Sequence, residues 1–214
     1  LVPSQLIYLS YPHLKDEPSI YPGISTGVAG GSTIKSAIIR GLCEVVERDS
    51  FVIYYMNKIT PKYIDLVSIK NRYLEKIVQD VKRYNFELKV FDLTTDIGIP
   101  VCASVLSNKT GIGKAISLGL KCDFDPVKAI IGSIEEALHT RSWVRTVYEK
   151  CPKNIGIKQL ENDSSIINRA LYWYGKKSIK KLGFWLNSKE SMKPKIYRPI
   201  SNEEKLKIIS EIFT

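Results

Sequence analysis

The stretch STGVAGGSTIKSAIIRGLCEVVERDS, residues 25–50, decides how the rest of the chain is read. A turn of small residues, GVAGGST (27–33), leads into an apolar-periodic segment that ends in the spacing E-x-x-E-R at Glu44, Glu47 and Arg48. Ser32 or Thr33 can cap a helix running to about Asn57, because a hydroxyl there accepts free N–H groups of the first turn. At about 100° per residue, Ile38, Leu42, Val45, Val46, Val52 and Ile53 share one broad face. Ser36, Arg40, Glu44, Glu47 and Arg48 gather on an opposite arc roughly 120° wide. That arc is either a solvated face with i,i+4 ion pairs, each worth about 0.2–0.5 kcal/mol, or a functional stripe. The glycines place backbone N–H groups at a helix N-terminus, where an anion is favoured. They do not make the loop G-x-x-x-x-G-K-[ST], whose lysine is absent. Two carboxylates three residues apart suit Mg2+, which takes oxygen ligands and bridges to phosphates.

A second long helix is expected downstream. Asp125 caps it and Pro126 takes its first position, where a missing N–H costs nothing; it runs to about Lys150. Its core face comprises Val127, Ile130, Ile131, Ile134, Ala137, Leu138, Val144 and Tyr148, while Glu135, Glu136 and His139 point elsewhere. Arg141 projects into the middle of that face. An unpaired buried charge costs several kcal/mol, so its partner is either a structural carboxylate or a bound anion, and a phosphate suits the planar guanidinium fork.

Between the two helices, IKNRYLEKIVQDVKRYN (69–85) has helical spacing. FELKVFDLT (86–94) and GIPVCASVLS (98–107) read as a β-hairpin around TDIG, and GKAISLGLKC (113–122) as a third strand. LVPSQLIYLSYP (1–12) alternates weakly and reads as a strand. A short helix near 164–175 and a last helix from about Asn202 complete the pattern. There is no internal repeat. The fold class is α/β of the α+β type, with mixed or antiparallel strands packed against long helices.

The 214 residues suffice for one large domain with a real core. Net charge is +10, from 32 Lys+Arg against 22 Asp+Glu. This fits either an ordinary basic surface or an acidic partner such as a nucleotide or an acidic peptide. The basic residues are dispersed, apart from YGKKSIKK (174–181), and form no arginine-rich arm, zinc finger or recognition helix, so nucleic acid is not an expected partner. No apolar run reaches the roughly 18 residues of a membrane span, and no signal peptide is visible. Cys43, Cys102, Cys122 and Cys151 form no C-x-x-C pair; Cys43 and Cys102 lie in apolar stretches as small core residues. A reducing cytoplasm is the expected compartment.

Taken together, these segments resemble the YcaO-domain family. STGVAGGSTIKSAIIRGLCEVVERDS is similar to its signature of a small-residue turn and a helix ending E-x-x-E-R-D. DPVKAIIGSIEEALHTRSWVR (125–145) resembles its second long helix, with an Asp-Pro start and an ending of the type E-A-x-Q-x-R. VPSQLIYLSYP and FDLTTDIGIPVCASVLS resemble the flanking strands of the peptide-modifying branch. The resemblance covers roughly residues 1–150 and fades over 151–214, although NRALYWY (168–174) sits where that branch has an aromatic stretch.

The resemblance implies one YcaO-type domain over 1–214, incomplete at its N-terminus, since a second acidic helix and a basic residue of the family's site would precede Leu1. It implies ATP and Mg2+ as cofactors and a ribosomally made precursor peptide as substrate. A Cys, Ser or Thr side chain attacks the preceding amide carbonyl, ATP phosphorylates the resulting oxygen, and loss of phosphate leaves a thiazoline or oxazoline. A related branch makes thioamides with an external sulfur source. Glu44, Glu47 and Arg48 fall on the family's nucleotide and magnesium positions, with Glu44 and Glu47 as metal ligands. Arg141 falls on its phosphate-contacting arginine, and Ser32 on a position beside the nucleotide. Ser36 replaces a usual Glu, and His139 a usual Gln. A partner protein for leader recognition or sulfur delivery is expected, a homodimer is open, and no general base is assigned. The alternative is a non-catalytic scaffold that engages a precursor peptide or a partner subunit.

Overall fold

Thr33 opens the first long helix. In the computed structural model, which describes residues 2–9, 11–20, 23–108, 110, 116–150, 168, 171, 176–195 and 197–213, helix α1 runs Ile34–Met56. The Thr33 hydroxyl accepts the Ser36 N–H and the Ser36 hydroxyl accepts the Thr33 N–H, each at 3.2 Å. This reciprocal capping box satisfies donors that the first turn leaves free. Helix α2 follows at Arg72–Arg83. Helix α3, Pro126–Lys150, starts where the sequence places it: Asp125 Oδ1 accepts the Val127 N–H at 2.9 Å.

Strands β2 (Phe86–Asp92), β3 (Val101–Asn108) and β4 (Ile116–Cys122) form an antiparallel meander. The expected hairpin is present, with Phe86 opposite Asn108 and Asp92 opposite Cys102. Its loop turns at Gly98, whose φ of 75° lies in the left-handed region that glycine enters without strain. Two strands too short to show in the sequence widen the sheet: β1 (Lys62–Ile64) and β5 (Ser191–Met192). The order is β4-β3-β2-β1-β5, with β5 parallel to β1 and the other pairs antiparallel. The short α4 (Gly183–Leu186) and the terminal α5 (Asn202–Phe213) follow, and 3-10 turns at Leu66–Ser68 and Lys176–Leu182 join the elements.

Alternation along β2 and β3 divides the core between two faces. Phe91, Ala103 and Val105 pack with Ile39, Cys43 and Val46 of α1, Trp185 of α4 and Ile209 of α5. Val90 and Cys102 pack on the other face with Leu74 of α2 and Ala129, Ile130 and Ile134 of α3. The sheet is therefore a middle layer, and helices α1 and α3 lie on its opposite sides. Helix α3 comes closest at Gly119 of β4, where a Cβ would overlap the backbone of Ser133 and Ala137.

Three expectations need correction or qualification. The opening segment forms a 3-10 turn at Ser4–Leu6 rather than a strand. Its alternation has no partner strand among the described residues; instead the Gln5 side chain donates to Glu17 Oε1 and the Pro18 carbonyl and accepts the Ile20 N–H. Helix α1 is rotated from the face read in sequence: Ile39, Cys43, Val46, Glu47 and Ser50 are buried, and Ile38, Val45 and Val52 are exposed. The helix near 164–175 lies outside the described residues, apart from the helical Asn168 and Leu171, as does Cys151.

Candidate functional site

The open edge of the sheet organises the site. Among the described residues, strand β4 pairs only with β3, so its outward N–H groups there need other acceptors. Glu47 Oε2, from α1 on one face, accepts the Cys122 N–H at 2.8 Å. Glu136 Oε2, from α3 on the other face, accepts the Leu120 N–H at 2.6 Å. The two helices thus bring carboxylates around the edge from both sides. This explains the rotation of α1, because a helix turned to bury Ile38 and Val45 would carry Glu47 away from β4.

Beside this edge lies an open pocket of about 680 Å³. Ser32, Arg40, Glu44 and Glu47 line one wall, with Lys121, Lys128 and Lys205 among the facing residues. The glycine-rich turn forms its lip. Gly41 has no side chain to obstruct the Gly27 carbonyl, and an Arg40 guanidinium nitrogen donates to the Gly30 carbonyl at 3.1 Å, holding the turn against α1.

Of the residues singled out in sequence, Ser32, Glu44 and Glu47 line the pocket together. Arg48 Nε lies 3.0 Å from Glu44 Oε1. Arg141 stands outside the pocket lining; its guanidinium lies 4.3 Å above the Phe86 ring centre, on the stretch of α3 beyond Glu136. The Ser36 hydroxyl is engaged in the capping box and also donates to the Thr33 carbonyl at 2.9 Å. Sequence reasoning missed Glu136, which is the first residue of the E-A-x-H-x-R segment that had drawn attention to its last. It also missed the three pocket lysines, which have no shared motif and meet only in the fold.

Burial pushes Glu47 from its ordinary 4.5 up to about 7, with the like charges of Glu136 and Glu44 adding to the rise. The Cys122 N–H and Lys121 oppose it. Glu136 is likewise raised by burial and by Glu44, against the Leu120 N–H, Arg48 and Lys121. A raised carboxylate holds its proton more tightly in the folded than in the unfolded chain, so folding is favoured below the unfolded value and loses that advantage as pH rises. Without nucleotide or metal, stability should therefore fall between about pH 4.5 and about 7, by roughly 3 kcal/mol from Glu47 alone. Guanidinium denaturation at the two ends of that window measures it; a flat or rising profile would contradict the assignment.

Among the described residues, no group of three or more His, Cys, Asp or Glu side chains is arranged to hold a metal ion by itself. Glu44 and Glu47 nevertheless fit a hard cation in their chemistry: they are oxygen donors crowded by like charge, which a divalent ion would relieve. Further ligands would come from phosphate oxygens or water.

Two long helices flank an antiparallel sheet edge and bring carboxylates to it from both sides, beside a pocket of mixed charge, in a protein of the α+β class. The model of the YcaO cyclodehydratase family, described as ATP- and Mg2+-binding, matches residues 1–213, and the chain belongs to this family. It is 31% identical over 138 residues to an uncharacterized protein in the tfuA 3' region of Rhizobium leguminosarum bv. trifolii, covering 60% of this chain and 33% of the relative. A heterocyclase in complex with substrate and cofactor superposes with a TM-score of 0.76 at 26% identity, over 97% of this chain and 27% of that one. The YcaO protein of Methanopyrus kandleri bound with AMPPCP and Mg2+ shares the fold, with a TM-score of 0.64 at 19% identity, over 94% of this chain and 50% of that one. The chain thus spans about a third of the length of the curated relatives it matches. Among the described residues, no helix is long and apolar enough to cross a membrane.

Proposed function

We propose that residues 1–214 form the nucleotide-binding YcaO-type domain of an ATP- and Mg2+-dependent enzyme that activates backbone amides of a ribosomally made precursor peptide, giving thiazoline or oxazoline rings by cyclodehydration. The observation that carries this reading is the convergence of Glu47 and Glu136 on the β4 edge, next to Glu44 and a lysine-lined pocket. Glu44 and Glu47 would hold Mg2+, which supplies charge neutralisation to the transferring phosphoryl group. Ser32 and the backbone of the glycine-rich turn would face the nucleotide at the start of α1. Arg48, tied to Glu44, fixes the direction of that carboxylate. Arg40 keeps the turn seated. The heterocyclase neighbour, described in complex with substrate and cofactor, and the McbBCD microcin synthetase complex with pro-MccB17 support a peptide substrate and a partner protein.

Calorimetry of the natural protein, with its partner present, tests the reading. Mg-ATP should bind, and absence of binding would sink the enzymatic assignment. Product mass then separates ring formation, a loss of water, from thioamide formation, an exchange of oxygen for sulfur. A non-catalytic scaffold is the second reading. It is favoured by Ser36, whose hydroxyl is used in helix capping at a position where the family usually places a Glu.

Arg141 supplies a further test. Arg141→Ala should abolish ATP turnover with little change in melting temperature if the guanidinium meets phosphate in the complex. A large drop in melting temperature with turnover retained would assign it instead to packing on Phe86.

A further inference from the structure

Helix α1 carries a second apolar face that the described fold leaves uncovered. Ile34, Ile38, Val45, Val52 and Met56 are each between 42% and 80% exposed, and none belongs to a core cluster. At about 100° per residue they fall within roughly 40° of arc, and roughly 130° around the helix from the buried Ile39, Cys43, Val46 and Ser50. Isolated exposed apolar side chains are ordinary on a protein surface, but a straight row along roughly 33 Å of helix is not. Ile38, Val45 and Val52 keep the seven-residue step of a helix-pairing seam. The whole row is spaced four, seven, seven and four residues, so it reads the same in both directions about Val45.

We propose that this face pairs with the same face of a second copy of the chain, the two α1 helices running antiparallel with the two-fold axis beside Val45. A two-fold interface must be self-complementary, and the row meets that condition. Val45 then meets Val45, Ile38 of one copy meets Val52 of the other, and Ile34 meets Met56. The flanking charges favour the same direction. Arg48 and Asp49 are exposed beside the row, and a parallel pair would set Arg48 level with Arg48 and Asp49 with Asp49. In the antiparallel pair Asp49 falls level with Gly41, and Arg48 with Leu42, close to the opposite charge of Glu44 in the other copy. The turn that forms the lip of the pocket borders the interface, because Gly27 packs against Gly41 and Val45. A single helix seam is smaller than the about 800 Å² per partner of a typical stable interface, so the dimer forms reversibly as concentration rises. The pairing depends on neither nucleotide nor the proposed reaction.

Sedimentation velocity on the natural protein across the micromolar range tests the pairing. The mass should rise from one copy to two, and Val45→Glu should hold it at one copy throughout while unfolding as cooperatively as the wild type. Introduced cysteines then read the direction after mild oxidation, on a non-reducing gel. Val45→Cys alone should cross-link to a dimer. Ile38→Cys and Val52→Cys should each fail alone and cross-link when mixed, and the wild type should give no cross-link. Absence of a dimer, or a dimer indifferent to Val45→Glu that gives no cross-link through residue 45, overturns the proposal. Val52→Cys cross-linking to itself overturns the antiparallel direction. A monomer in which the thiol introduced at residue 45 resists alkylation shows the row covered by another segment of the same chain, and overturns the proposal as well.

Discussion

Glu47→Gln is expected to abolish magnesium-dependent nucleotide binding, by roughly 100-fold or more, while leaving the folded chain at least as stable as before at neutral pH. The glutamine carbonyl can still accept the Cys122 N–H that Glu47 accepts at 2.8 Å. What disappears is a buried negative charge that Glu136 and Glu44 repel. Loss of a cation ligand and relief of like-charge repulsion therefore act on different observables, and a single substitution separates them. Calorimetry with Mg-ATP and guanidinium denaturation at pH 7–8 provide the two readouts. A variant that binds nucleotide normally but unfolds several kcal/mol more easily would make Glu47 a structural strut and remove it from the site.

Gly119→Ala should be strongly damaging, costing about 3 kcal/mol or more. The added methyl would meet the backbone of Ser133 and Ala137, which no side-chain rotation can move aside. Relief requires α3 to lift from β4. That movement also strains the buried Ser104–Ser133 hydroxyl pair, 2.6 Å apart, and withdraws Glu136 from the Leu120 N–H. Melting temperature and soluble yield should both fall sharply. A variant as stable as the wild type would show that α3 has freedom to slide at this contact.

How far the fold and site were legible depended on whether a signal was local. Thr33, Asp125 and Pro126 announce helix starts because capping is settled within four residues of chain, and the structure places both helices accordingly. The β2–β3 pairing was visible in its alternation and turn. The strands of three and two residues, β1 and β5, carry no period and exist only because they add to an edge already present. The orientation of α1 was hidden for a related reason. A helical wheel ranks faces by side-chain polarity, whereas Glu47 is buried, 4% exposed, because an unpaired backbone edge elsewhere needs an acceptor. Glu44 and Glu47 could be picked out from their spacing, but Glu136 could not be joined to them until β4 stood between the two helices.

The two glutamates that cap β4 do for this sheet what an additional strand would do in another. This bears on how such a sequence can drift. A relative that holds no cation here would not need negative charge at residues 47 and 136, but would still need acceptors there, since a bare edge invites another chain to pair with it. Decay should therefore run through glutamine rather than through leucine or alanine, and a YcaO relative with amides at both positions would be a protein that gave up its cation and kept its solubility.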